Sequence, residues 1–307
     1  MPKYHIDFMG LRKVFFTFSI VLILISIGSL AIRGLQFGID FKGGTVITIG
    51  NGQGKSIEEV RSAFEGAKFG NVAVQTSRSA NASGYLVRST TTDPDTANNY
   101  ATAAAEKLGM NVKDFSISTI GAGWGKKLTS SALTALAISI IAILIYISIR
   151  FEYKMSLMAV AALFHDVLIT LGIYSLLGAE VSTSTIAALL TILGYSLYDT
   201  VVIFGRIKEN TDNLQKMSFM GMANLSINEV FARSINTTVT SLLPVLVMLF
   251  MNVEVLNGFA IALTIGLFIG AYSSIGVAAP LYAMWKETEP KYVALRKKYG
   301  KKDAASV

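Results

Sequence analysis

Two carboxylates in this chain, Asp166 and Asp199, stand inside segments apolar enough to cross a membrane, in "LFHDVLITLGIYSLLG" and "LLTILGYSLYDTVVIFGRIKEN". A charged aspartate near the bilayer centre costs about 2.5–3.5 kcal/mol on insertion scales. The cost falls when the side chain faces a bundle interior, pairs, or takes up a proton. Burial disfavours the ionised form of any carboxyl, so both residues are candidate proton-binding groups. Around Asp199 the spacing builds a polar face: Tyr195 and Ser196 lie four and three residues before it, within one helical turn. Arg206 follows about 10 Å further along the axis. The competing reading of Asp199 is interhelical glue, worth about 0.6 kcal/mol on average. An ionisable residue inside a span favours function by default. Asp166 follows His165 directly. Adjacent helical positions point about 100° apart, so the two need not share a face. They could relay protons or bridge neighbouring helices, and the residues do not choose between these.

The elements that must position these groups are written in the hydropathy. The chain has 307 residues, 52% of them hydrophobic and 15% charged, against about 25% charged in an ordinary soluble domain. The deficit points to a polytopic membrane protein. Six stretches approach the ~20 apolar residues that a span needs: roughly 14–32, 130–149, 155–177, 185–205, 237–252 and 257–283. The fifth is short and contains Pro244. Residues 1–13 read as a short tail and 14–32 as an anchor that stays. There is no cysteine and there are two histidines, His5 and His165. That excludes disulfides, thiol chemistry and a cysteine metal site, and argues against a histidine-built one. No cofactor or metal is expected.

The net charge of +7 has a place. Basic residues fall in the N-terminal tail (Lys3, Arg12, Lys13), at 150–154, in a loop at 206–236 and in a basic tail at 284–307. The opposite short loops, 178–184 and 253–256, carry no Lys or Arg. This is the positive-inside asymmetry, and it makes both termini cytoplasmic. The basic tail suits anionic lipid headgroups. Nucleic acid is not expected, since the tail lacks interleaved aromatics and a binding fold. The loop 206–236 reads as an amphipathic helix on the cytoplasmic face.

The polar segment 33–127 is then extracytoplasmic. "TVITI" alternates as a strand, and "SIEEVRSAFEGA" is a helix with Ser56 and Glu59 as a capping box. "NVAVQTS" and "GYLVRST" pair as a hairpin around "RSANAS". Asp93, Pro94 and Gly109 bracket a second helix, and "VKDFSIST" closes the order βαββαβ, a ferredoxin-like α+β domain. Ahead of it, "FGIDFKGGT" places Gly38, Asp40, Gly43 and Gly44 just outside the first span. Its glycines mark tight turns or close approach, and the plain reading is a connector from membrane to domain.

The remaining signals are weaker. Arg233, followed by "SINTTVTS", reads on its own as a snorkelling anchor at a helix end. Asn236, Thr237, Thr238, Thr240 and Ser241 either line a hydrated path or pack helices. Gly266 and Gly270 form a small-xxx-small pair, read as packing. "GNGQGKS" fails as a phosphate-binding loop, because Ile49 stands where the first glycine is required. With no GxSxG elbow either, hydrolysis in this chain is not expected to power any work.

Taken together, "FGIDFKGGT", the Asp166 and Asp199 segments, "NEVFARSINTTVTSLLPVL" and "GAYSSIGVAAPL" resemble the SecF branch of the SecD/SecF family of bacterial protein-export membrane proteins, in the resistance-nodulation-division (RND) superfamily. The resemblance covers nearly the whole chain. It implies half of a pseudo-symmetric, twelve-span pair with SecD, in the bacterial cytoplasmic (inner) membrane. It implies association with the SecYEG channel and YidC, and use of the proton-motive force to draw a preprotein outward. It makes Asp199 the family's fourth-span aspartate and Arg233 its arginine at the start of the fifth span, which reverses the anchor reading of Arg233. Gly205 stands where family members commonly carry Asp, so Arg206 is expected to lack a local partner. Two alternatives remain: half of a small-molecule RND exporter, for which the ~95-residue domain is small, and a purely structural stabiliser of the translocase.

Overall fold

The computed structural model describes residues 5–50, 54–69, 72–79, 82–214, 216–251 and 254–303. Among them, six helices are long and apolar enough to cross a membrane: Arg12–Ile32, Gly123–Arg150, Tyr153–Leu176, Thr183–Asp212, Phe219–Phe250 and Leu256–Lys286, here the first to sixth. Lipid is as apolar as leucine, so helices there gain little by hiding leucine from it. The first helix behaves accordingly. Its buried residues are Ser19, Ser26 and Ser29, while Leu24 is 64% exposed. Ser26 meets Gly172 of the third helix so closely that a Cβ on Gly172 would stand 2.1 Å from the Ser26 Cβ. Across the second helix Leu133, Ile138, Ile141 and Ile149 stay exposed.

The fourth and fifth helices run further than hydropathy suggests. The segment 206–236 is not a loop with a surface helix. The fourth helix continues to Asp212, and the fifth begins at Phe219 and runs unbroken through Pro244 to Phe250. Its first half buries Phe219, Met222, Ile227 and the polar Asn224, Ser226 and Asn228 against the rest of the chain. Protein, not lipid, covers that half, which is why it is not apolar. The N-terminal tail is also held in place. Asn228 Oδ1 accepts from Ile6 N at 2.9 Å, Asn224 Oδ1 from Met9 N at 3.3 Å, and Phe8 and Met9 join the core. The basic tail forms a helix, Pro290–Asp303, whose Tyr292 ring lies tilted against Phe219 with centroids 4.7 Å apart. The sixth helix widens into a π-helical turn at Ser274–Ala278.

The strands are β1 Gln36–Phe37, β2 Gly44–Ile49, β3 Ala73–Ser79, β4 Ala82–Ser89, β5 Phe115–Ile120 and β6 Glu180–Val181. Strands β2 to β5 form one antiparallel sheet in the order β3-β4-β2-β5, the ferredoxin-like arrangement. The centre of the "RSANAS" turn, 80–81, lies outside the described residues. Helices Ile57–Glu65 and Pro94–Leu108 pack Val60, Phe64, Ala97, Ala101 and Ala104 onto Ile47, Ile49, Val87 and Phe115. Both start as the sequence requires. Glu59 N donates to Ser56 Oγ and Ser56 N to Glu59, and Thr96 N donates to Asp93 Oδ2 at 2.8 Å ahead of Pro94. The "VKDFSIST" stretch spends Val112–Asp114 on a 3₁₀ turn before β5.

Candidate functional site

Asp199 sits on the fourth helix with 6% of its surface exposed. Ser234 and Thr238 of the fifth helix face it, and among the described residues no donor makes a well-formed hydrogen bond to its buried Oδ1. It lines a small cleft with Tyr195, Ser196, Thr237, Thr238 and Ser241, walled by Gly270 of the sixth helix. Thr237, Thr238 and Ser241 face this cleft, whereas Asn236 and Thr240 are exposed and do not. Tyr195, 43% exposed, carries the cleft to the surface. A buried carboxyl oxygen without a donor is costly when ionised, and proton uptake removes that cost. The arrangement is thus a carboxyl that can take a proton at the edge of a hydroxyl-lined cleft.

Arg233 does not join it. Its side chain is exposed, and among the described residues it pairs with no carboxylate. The neighbouring Ser234 takes the position facing Asp199, as the ~100° step between successive residues dictates.

Ser196 lines the cleft but gives its hydroxyl proton to Asp166 Oδ2 on the third helix. Asp166, fully buried, also accepts from Ser273 Oγ at 2.8 Å and meets His165 Nδ1 at 2.9 Å. His165 and Asp166 therefore do share a contact, because χ rotation bends the two side chains together. Beyond His165, Nε2 meets Ser19 Oγ at 3.1 Å, Ser19 meets Tyr272 at 2.9 Å, and Tyr272 donates to Phe15 O at 2.6 Å. One buried network ties the first, third, fourth and sixth helices. Sequence reasoning missed Ser19, Tyr272 and Ser273. The signal available was the serine spacing of the first span and "AYSS" in the sixth.

Arg206 has local partners after all. Its Nε is 2.6 Å from Glu229 and its Nη1 2.9 Å from Glu209, and Asn210 Nδ2 also donates to Glu229 at 2.8 Å. Glu229 lies on the early part of the fifth helix that hydropathy had assigned to a loop.

Glycine lets the sixth helix approach the fourth. A Cβ on Gly266 would stand 2.3 Å from Ile192, and one on Gly270 2.9 Å from the Ser196 Cβ. The glycine-rich connector does more than turn the chain. Asp40 Oδ2 accepts from Thr183 N at 2.8 Å and Thr183 Oγ1 at 2.7 Å, capping the helix that carries Asp199. Gly38 N donates to Val181 O at 2.9 Å, continuing the parallel β1–β6 pair. Glu180 forms an ion pair with Arg88 of β4. Burial still pushes the Glu180 carboxyl up from its ordinary value, outweighing Arg88. Gly43 closes the turn at φ 76°, and a Cβ on Gly44, at φ 135°, would stand 2.5 Å from Ser89 O.

A six-helix membrane bundle, a ferredoxin-like domain entered through a glycine-rich turn, and a carboxyl in a side cleft together define a polytopic membrane protein built for transport. Residues 100–288 match the family described as "Protein export membrane protein SecD/SecF, C-terminal", and residues 28–50 the "SecD/SecF GG Motif". Protein translocase subunit SecF of Streptomyces coelicolor is 38% identical over 95% of this chain and 80% of its own length. The SecF subunit of Vibrio alginolyticus is 38% identical over 90% and 88%. A crystal structure of SecDF from Thermus thermophilus, described as a translocon-associated membrane protein, superposes with TM-score 0.83 at 33% identity over 93% of this chain. This chain spans 39% of that SecDF chain. The chain belongs to the SecD/SecF family, on its SecF branch.

Proposed function

We propose that the chain works as the SecF half of a SecD–SecF pair that uses the proton-motive force to promote preprotein export through SecYEG, with YidC as a further associate. Asp199 is the proton-binding group, and its cleft opens on the face that SecD covers. Protonation neutralises a buried charge at a packed interface, and such an interface has two arrangements rather than a continuum. The shift reaches the domain through the fourth helix, whose start Asp40 holds. Arg233 meets the pathway in an arrangement other than the one described above. The single observation that carries this reading is the buried Oδ1 of Asp199, which makes no well-formed hydrogen bond among the described residues, in a cleft that the exposed Tyr195 carries to the surface.

The orientation has support of its own. Lys154 pairs with Glu289 at 2.8 Å, Lys286 with Glu152 at 2.7 Å, and Lys208 donates to Arg150 O. These contacts gather the basic residues at one end of the bundle, away from Asp40 and Thr183. The positive-inside rule favours that end as the cytoplasmic one, which supports both termini inside and the domain outside. The test is Asp199→Asn in inner-membrane vesicles with SecD present. Proton-dependent completion of preprotein translocation should be lost, and unchanged completion would sink the proposal.

A further inference from the structure

A fully buried aspartate needs a reason to be tolerated in the membrane, and the hydrogen-bond directions around Asp166 supply one. Tyr272 has a single hydroxyl proton, and a carbonyl can only accept, so that proton lies on the bond to Phe15 O. In the Ser19–Tyr272 bond the serine must then donate. Ser19 has no second proton, so in the His165–Ser19 bond Nε2 must donate. That fixes a proton on Nε2. The other nitrogen, Nδ1, faces Asp166 Oδ1 at 2.9 Å. If His165 were neutral and Asp166 ionised, two lone pairs would oppose each other at hydrogen-bond distance. A proton must therefore sit between Nδ1 and Oδ1. Whether drawn as imidazolium with carboxylate or as imidazole with carboxylic acid, the pair holds one proton and is neutral overall. Neutrality is what lets it stand fully buried.

We propose that His165 and Asp166 form a second proton-binding site, which takes up and gives back its proton through Ser196 at the Asp199 cleft. Ser196 is the only residue that both lines that cleft and donates to Asp166, among the described residues. The second helix, which also packs on the third, carries its charges Lys126, Lys127 and Arg150 at its ends. The first helix offers Ser19, and its charges Arg12 and Lys13 begin about 9 Å or more along the axis. The sixth offers Tyr272 and Ser273, and the fourth offers Ser196 and, one turn on, Asp199. When the proton leaves, Nδ1 and Oδ1 repel. The Ser19 and Ser196 bonds, which anchor the first and fourth helices to the third, then strain together. The exit through Ser196 rests on the reading of Asp199 as a proton site, whereas the pair's own proton does not.

The test exploits the two histidines. His5→Gln leaves His165 as the sole imidazole, read by nitrogen-15 magnetic resonance in lipid bilayers from about pH 5 to about pH 9. The expected result is Nε2 protonated throughout, with Nδ1 changing in one step as a single proton is lost. The Asp166 carboxyl infrared band, assigned by Asp166→Asn, should change at the same pH. Ser196→Ala should keep the step but slow its approach to equilibrium at least about tenfold. An Nδ1-protonated neutral imidazole, a pair that never changes state, or nitrogen and carboxyl steps at separate pH values would each overturn the site. An unchanged rate in Ser196→Ala would overturn the exit route alone. If Asp166→Asn fails to fold, the His5→Gln chain still decides the tautomer and the step. None of these readouts needs translocation, so they fail independently of the Asp199→Asn test.

Discussion

Replacing Asp40 by alanine should loosen the start of the helix that carries Asp199, 143 residues away in sequence from the cap itself. Asp40 Oδ2 holds two donors, Thr183 N at 2.8 Å and Thr183 Oγ1 at 2.7 Å. Losing an N-cap acceptor costs roughly 0.5–2 kcal/mol. A hydrogen bond to a charged group is worth about 1.5–3 kcal/mol, and the half-exposed setting of Asp40 takes the low end. The first turn does not come apart, because Ser182 Oγ still accepts from Thr185 N. The expected loss is about 1–2 kcal/mol, which is about a 5- to 30-fold rise in local opening. Amide hydrogen exchange at Thr183–Ile186 in bilayers reads this directly. Asp40→Asn keeps an acceptor and should rise less. Thr183→Val removes only the hydroxyl arm and should fall between wild type and Asp40→Ala. Exchange within about twofold of wild type in Asp40→Ala would refute the claim that the connector fastens the fourth helix, whatever the magnitudes assigned to such bonds.

Three further outcomes can be checked. Gly172→Ala should lower thermal stability in detergent by about 1–3 kcal/mol, as overpacking does, because the new methyl meets the Ser26 backbone as well as its side chain. Gly44→Ala combines a left-handed φ with a clash against the Ser89 carbonyl, and should uncouple β2 from the connector, seen as lost exchange protection in β4. Glu289 is held below the usual carboxylate range, first by Lys154 and then by Lys286 against its desolvation. Because its folded value is depressed, the stability it contributes is full above the ordinary carboxylate range and lost as pH falls through the folded value. In a Trp124→Phe chain the remaining Trp285, under Lys154 at 5.2 Å, should report that loss as a fluorescence change on acidification, absent in Glu289→Gln.

The sequence carries what local chemistry decides. The six spans follow from lipid contact, and the domain's order follows from its caps at Ser56, Asp93 and Gly109. Asp199 stands out because an acid in a span is costly wherever it points. What stays hidden is what distant residues decide. The early half of the fifth helix is covered by other helices and by Phe8 and Met9, so its asparagines read as loop. Glu229 answers Arg206 from that same half. Asp40 looks like a connector residue until Thr183 folds against it. Arg233, which the family resemblance singles out, stands apart from Asp199 because its neighbour Ser234 holds the facing position.

The π-helical turn at Ser274–Ala278 has a consequence for how the sixth helix is read residue by residue. A wide turn holds one residue more than an α turn, so the helix beyond it is out of step by about 100°. Gly266 and Gly270 before it, and Ala279, Tyr282 and Ala283 after it, therefore belong to two wave trains with a phase slip between them. An alanine or cysteine scan plotted on one helical wheel will scatter. The same data cut at Ser274 and drawn on two wheels should resolve into two clean stripes.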